Sequence, residues 1–230
     1  MNDPKNIFRR AWITAGQSEL WNCGSTYCMV PHASLPRLGR ASDDLKWLDF
    51  ISPELRQIID GTSTLNGDDN QIGNLENIVA RAKKLRLNLP EPFLRFMGDA
   101  CLQAKVSTCT GCFLALSEDF IPLLEAEGHF LLRFLNDSQS CVMWYLYLNP
   151  EGNAGVVASP CFFEPKLFEV MEYEDLKREE LSREACLCAD TFTEFLYRFW
   201  IENSIWYSLH GRLPLTPIQE EYRNQIIQKL

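Results

Sequence analysis

The sequence predicts an α+β protein in which an antiparallel sheet of about four to six strands is packed by helices. Three observations point there. Between residues 112 and 158, short apolar runs rich in aromatic and β-branched residues alternate with turn sequences. Connections of three to six residues join the later runs, too short for parallel crossovers, so an antiparallel meander follows. On either side lie helical patterns, one from Asn74 to Cys101 and one opening at Asp190 or Thr191.

Residues 1 to about 70 read as short elements joined by loops, an N-terminal extension to a domain that spans residues 1–230. One helix is expected there: Ser52 is its N-cap, Pro53 its first position, Leu55, Ile58 and Ile59 its apolar stripe, and Gly61 its stop. Turn chemistry from Asp60 to Asn70 predicts a loop. Leu75, Ile78, Val79, Ala82 and Leu85 then share a helical face, and Arg81, Lys83, Lys84 and Arg86 crowd the C-terminal half, where the dipole favours cations. A proline hinge at Leu89-Pro90-Glu91-Pro92 opens a second helix with Phe93, Phe96, Met97, Ala100 and Cys101 on its apolar face. Strands are expected at 112–116, 129–135, 141–148 and 154–158, with turns at Asn136-Asp137-Ser138 and Asn149-Pro150-Glu151-Gly152-Asn153. The stretch Glu164–Glu184 is a charged surface segment. A Thr-x-x-Glu box at Thr191 and Glu194 opens a helix whose Phe192, Phe195, Leu196, Phe199, Trp206 and Tyr207 can cover the sheet. Thr216-Pro217-Ile218-Gln219 opens a terminal helix.

A formal charge of −9 repels phosphate backbones and anionic lipid, so neither nucleic acid nor a membrane is expected as a partner. No apolar run approaches the length needed to span a bilayer, and charges stand where a signal peptide needs its apolar core, so a cytoplasmic location is expected. The nine cysteines are odd in number and spread along the chain. In a reducing compartment most are expected to be small buried apolar residues rather than disulfide partners.

Motifs that would carry chemistry are sparse. Cys109-Thr110-Gly111-Cys112 has C-x-x-C spacing, but it runs into a strand rather than opening a helix, and no second pair of suitable spacing completes a zinc site. His32, His129 and His210 sit in no catalytic pattern, and both common phosphate-cradling glycine motifs are missing. No cofactor, no metal and no catalytic residue are expected. Trp144, Tyr145 and Tyr147 offer aromatic rings for a ligand or for the core, with the core favoured.

The order of these signals resembles the SMI1/KNR4 (SUKH) domain family over about residues 70–210. Leu89-Pro90-Glu91-Pro92-Phe93-Leu94-Arg95-Phe96-Met97 is similar to that family's opening helix, and Leu131-Leu132-Arg133-Phe134-Leu135-Asn136-Asp137, the Trp144 strand and Gly155-Val156-Val157 to its strands. Ala189-Asp190-Thr191-Phe192-Thr193-Glu194-Phe195-Leu196 looks like its closing helix. Lys105–Thr110 stands where the family often has a glycine-rich segment. The resemblance implies a non-enzymatic α+β domain, of the kind that serves in bacteria as an immunity protein neutralising a toxin.

These readings combine into an expectation of a protein-binding domain whose acidic surface docks a more basic partner. Asp137, Glu151, Glu164, Glu172, Glu174 and Trp144 are its candidate contact residues. The alternative is a small-molecule-binding protein or enzyme. It would use a cleft between the sheet and the N-terminal segment, with Cys109, Cys112 or His129 taking part.

Overall fold

A computed structural model describes residues 7–14, 18–39, 41–59, 64–65, 70–123, 126–164 and 184–229. The class is α+β, but the sheet is larger than expected and mixed. Eight strands form it: β1 (Arg9–Ile13), β2 (Met29–Pro31), β3 (Phe113–Leu114), β4 (Ile121–Pro122), β5 (Phe130–Asn136), β6 (Met143–Leu148), β7 (Ala154–Ser159) and β8 (Cys186–Ala189). Their order is β2-β1-β8-β7-β6-β5-β3, and β4 also pairs with β5. All pairings are antiparallel except β1 with β8, where Arg9 faces Cys186 and Arg10 faces Leu187. That parallel pair brings the first described strand beside the last, so part of the expected N-terminal extension belongs to the sheet.

The helices are α1 (Ser18–Trp21), α2 (Pro53–Ile59), α3 (Asn70–Leu85), α4 (Glu91–Met97), α5 (Ala100–Gln103), α6 (Phe192–His210) and α7 (Pro217–Ile227). Ser52 caps α2 by accepting from the Leu55 amide. The expected helix through Cys101 is broken instead at Gly98. Asp99 accepts from the Cys101 and Leu102 amides and starts a new turn, which turns Ala100 and Cys101 out to solvent. At α6, Thr191 accepts from the Glu194 amide, while the Glu194 carboxylate reaches back to the amide of Asp190. The Gln219 side chain likewise accepts from the Thr216 amide at the start of α7. No helix among the described residues is long and apolar enough to cross a membrane.

The period of two sends β6 side chains to both faces, and both faces are buried. Trp144, Leu146 and Leu148 join the larger core beneath α4 and α6, where Phe93, Phe134, Phe192, Phe195 and Phe199 form edge-to-face and tilted pairs. Met143, Tyr145 and Tyr147 face the other way, among Phe8, Leu131, Val157, Phe162 and Phe163. Of the residues expected to cover the sheet, Trp206 and Tyr207 instead join a separate cluster with Leu55, Ile59 and Leu213. A bulge at Phe134 on β5 and another at Cys188 on β8 interrupt the registers.

One polar network crosses the larger core. Glu202 is fully buried on α6 and accepts from the Trp12 indole at 2.9 Å and from the Tyr222 hydroxyl at 2.7 Å. It therefore ties β1, α6 and α7 together. Burial pushes its carboxyl up to about 7, against the opposing pull of those two donors and of the Arg198 charge.

The cysteines depart from expectation. Cys112, Cys161, Cys186 and Cys188 are buried as expected, but Cys101 and Cys141 are exposed, and Cys23 and Cys28 form a disulfide next to the β2 edge. That loop, Cys23-Gly24-Ser25-Thr26-Tyr27-Cys28, is short, and its half-buried ends lie at the edge of the larger core, against which Cys23 packs.

The β6–β7 turn forms where its residues predict. The Asn149 side chain accepts from the Asn153 amide at 3.0 Å, and Gly152 sits at φ +85°. A side chain is strained at that angle, so Gly152→Ala is expected to destabilise the protein by about 1 kcal/mol, read from the urea midpoint.

Candidate binding cleft

A cavity of about 690 Å³ opens at the end of the sheet where this turn meets the first turn of α6. Its walls are Asn88, Leu89, Pro90 and Pro92 from the α3–α4 connection, Glu151 to Ala154 from the turn, and Asp190 to Thr193 from the start of α6. Asp43 closes it from the N-terminal part of the chain. The shape follows from local rules. Prolines end α3 and begin α4 with a rigid extended link, the Asn149 turn projects Glu151, and the capped end of α6 fixes Thr193.

The cleft is charged with one sign. Asp43, Glu151 and Asp190 line it, and among the described residues no lysine or arginine does. Asp190 is already matched, because Arg10 holds both its oxygens at 2.7 Å. Asp43 accepts a hydrogen bond from the Thr193 hydroxyl at 2.5 Å, and Glu151 stands exposed on the turn. Beside Asp43, the Ser42 hydroxyl and then the Lys46 ammonium and amide hold the Asp44 carboxyl down to about 2, and the Lys46 ion pair at 3.1 Å offsets its charge. Leu89, Pro90, Pro92 and Phe192 give the cleft an apolar floor.

The sequence-derived contact residues do not gather here. Glu151 alone lines this cleft. Asp137 is buried at the opposite end of β6, a strand of six residues and thus about 20 Å away. Its oxygens are occupied by the Tyr27 hydroxyl and by the amides of Gln139 and Cys141. Glu164 is paired with Arg133 at 2.5 Å and accepts from the Tyr145 hydroxyl at 3.1 Å. Trp144 is 0% exposed and packs against Phe195, Phe199 and Tyr27, so the ring expected to meet a partner is a core residue. Its strand is covered on both faces, which leaves no aromatic platform. Glu172 and Glu174, with most of the charged stretch 164–184, lie outside the described residues, as does most of the 60–70 loop.

Nor do the residues of the enzymatic alternative converge. Cys112 is buried beside Thr110, Thr108 and Asp137, and burial pushes its thiol up to about 11, away from reactivity. Cys109 is half-buried at the small cluster around Tyr207. His129 lies at the other end of β5 from Asp137, hydrogen-bonded to Tyr147 at 2.5 Å. Among the described residues, no group of three or more histidines, cysteines and acids is placed to hold a metal ion.

Sequence reasoning missed Asp43 and Asp190 as cleft residues. Asp190 carries a signal only as a helix-capping candidate, and Asp43 only as one of an acidic pair; long-range folding brings them together. No family model matches the chain, and no curated protein or solved structure does so significantly.

Proposed function

We propose that this chain is a non-enzymatic protein-binding module that takes a basic segment of a partner protein into the cleft. The observation that carries this reading is the sign of the cleft: Asp43 and Glu151 face it without a basic neighbour among the described lining residues, on a chain of net charge −9. An arginine or lysine can lay its aliphatic stem along Leu89, Pro90 and Pro92 and set its head group between the two carboxylates. Acidic charge around such a site also speeds encounter with a cationic partner. The resemblance to SMI1/KNR4 domains supports a toxin as that partner.

An arginine-rich peptide with a fluorescent label tests the reading by anisotropy at low and at physiological salt. Asp43→Lys with Glu151→Lys is expected to weaken binding about tenfold or more, whereas Glu220→Lys with Glu221→Lys, on exposed α7 positions, changes net charge equally and is expected to weaken it far less. Equal losses in the two double variants would mean that the peptide senses net charge alone and would overturn the proposal. The same two variants, used as bait against lysate of the source cell, then sort any retained protein by whether it needs the cleft.

A further inference from the structure

A second cavity, about 250 Å³, lies where the N-terminal segment crosses the end of β8. Arg10, His32, Pro36, Asp190, Glu194 and Arg198 are the wall residues that matter to its chemistry. Arg198 is unlike the other buried arginine. Arg133, in the opposite face of the sheet, is met directly by Glu164. Arg198 is only 6% exposed, yet its hydrogen bonds go to two neutral acceptors, the Tyr222 hydroxyl at 3.1 Å and the Pro36 carbonyl at 3.2 Å. A guanidinium carries five N–H donors; three have no acceptor among the described residues, and although its face lies over the Trp12 and Tyr222 rings at 5.8 and 6.0 Å, these supply no lone pair to an in-plane N–H. No described carboxylate forms a salt bridge with it. A hydrogen-bonded link to an acid runs through Tyr222, which accepts from Arg198 and donates to Glu202. A buried cation with unmet donors is costly unless something in the adjoining space accepts from it.

The other charges around the cavity are accounted for. Arg10 is held bidentate by Asp190 and also donates to His32 Nδ1 at 3.0 Å. The proton of His32 is therefore on Nε2, where it is donated to the Cys188 carbonyl at 2.9 Å, and burial and the Arg10 charge favour this neutral ring. Glu194 spends one oxygen on the Asp190 amide and has no cationic partner among the described residues. Leu35 and Pro36 supply an apolar side.

We propose that this cavity binds a small oxyanion, the carboxylate or phosphate group of a free metabolite-sized ligand, with Arg198 as its cationic anchor. An oxyanion accepts the donors that Arg198 leaves unmet and matches its charge at short range. Glu194 opposes the bound anion and sets an upper limit on its affinity.

Isothermal titration of the full chain with sodium acetate, sodium butyrate and inorganic phosphate, at an ionic strength held constant with sodium chloride, tests this. Saturable binding of at least one of the three is expected. Tighter binding of butyrate than of acetate assigns a carboxylate lying against Leu35 and Pro36, and tighter binding of phosphate than of either assigns a phosphate. Arg198→Gln, checked for a native circular dichroism spectrum, is expected to lose at least tenfold in affinity. Glu194→Gln keeps the acceptor for the Asp190 amide but removes the opposing charge, and is expected to bind about three- to tenfold more tightly. The second variant decides the matter if the first does not fold. No saturable binding, an affinity untouched by Arg198→Gln in a folded variant, or an unchanged or weaker affinity in Glu194→Gln would overturn the proposal.

Discussion

Trp144→Ala is expected to destabilise the protein by about 4 kcal/mol and to lower Tm by about 10 °C, among the largest single-residue effects available in this chain. The ring is fully buried near the start of β6 and touches Phe195 and Phe199 of α6 and Tyr27 of the N-terminal part, so truncation opens a cavity that a packed helix and a distant loop cannot readily close. Trp144→Phe is expected to be far milder, within about 1 kcal/mol. The indole N–H has no hydrogen-bond partner, and phenylalanine removes that orphaned donor along with part of the ring. Chemical denaturation of the two variants reads both effects. A loss below about 0.5 kcal/mol for Trp144→Ala is what a surface tryptophan would give, and it would return this residue to the partner-binding set.

Glu202 is expected to make stability fall as pH rises. Its carboxyl sits near 7 in the folded protein, against 4.5 as its ordinary value. Below pH 4.5 folded and unfolded chains both hold the proton, and the favourable contribution of the neutral group is complete. Between 4.5 and 7 the folded chain retains a proton that the unfolded chain releases, so stability is lost progressively, by about 3 kcal/mol in all. Urea denaturation at pH 5 and pH 8 measures the difference, and Glu202→Gln, neutral at both, is expected to abolish most of it. Glu202→Ala is expected to cost about 3 kcal/mol even at pH 5, because it leaves the Trp12 indole and the Tyr222 hydroxyl buried without their acceptor. An unaltered pH slope in Glu202→Gln would place the controlling group elsewhere.

The elements that could be read from sequence are those whose signals are local. Thr191 with Glu194, Ser52 with Pro53, and the Asn149 turn act within a few residues, and each forms as the pattern says. The meander from β5 to β7 was legible for the same reason. What local signals missed depends on distant partners. Cys186–Ala189 is four residues long and attracts attention for its thiols, and only its pairing with both β7 and β1 makes it a central strand. Arg9–Ile13 begins with two arginines and shows no alternation, because its inner residues are buried on both sides. Asp137 read as an exposed turn acid, whereas its carboxylate is what holds the turn together. The cleft was half legible. Glu151 sits on a turn that the sequence announces, but Asp43 reaches it across 150 positions to Thr193.

The parallel seating of β1 beside β8 also has a consequence for synthesis of the chain. Trp12 and its acceptor Glu202 stand 190 positions apart, so at roughly 5–20 residues per second the ribosome needs about 10–40 s after making the first strand before its partner exists. Throughout that interval Ala11, Trp12 and Ile13, all buried in the finished protein, can pair with β2 but lack β8 and α6, which complete their burial. Until β8 is made, the edge of β1 that it will cover stays open to pairing with another chain.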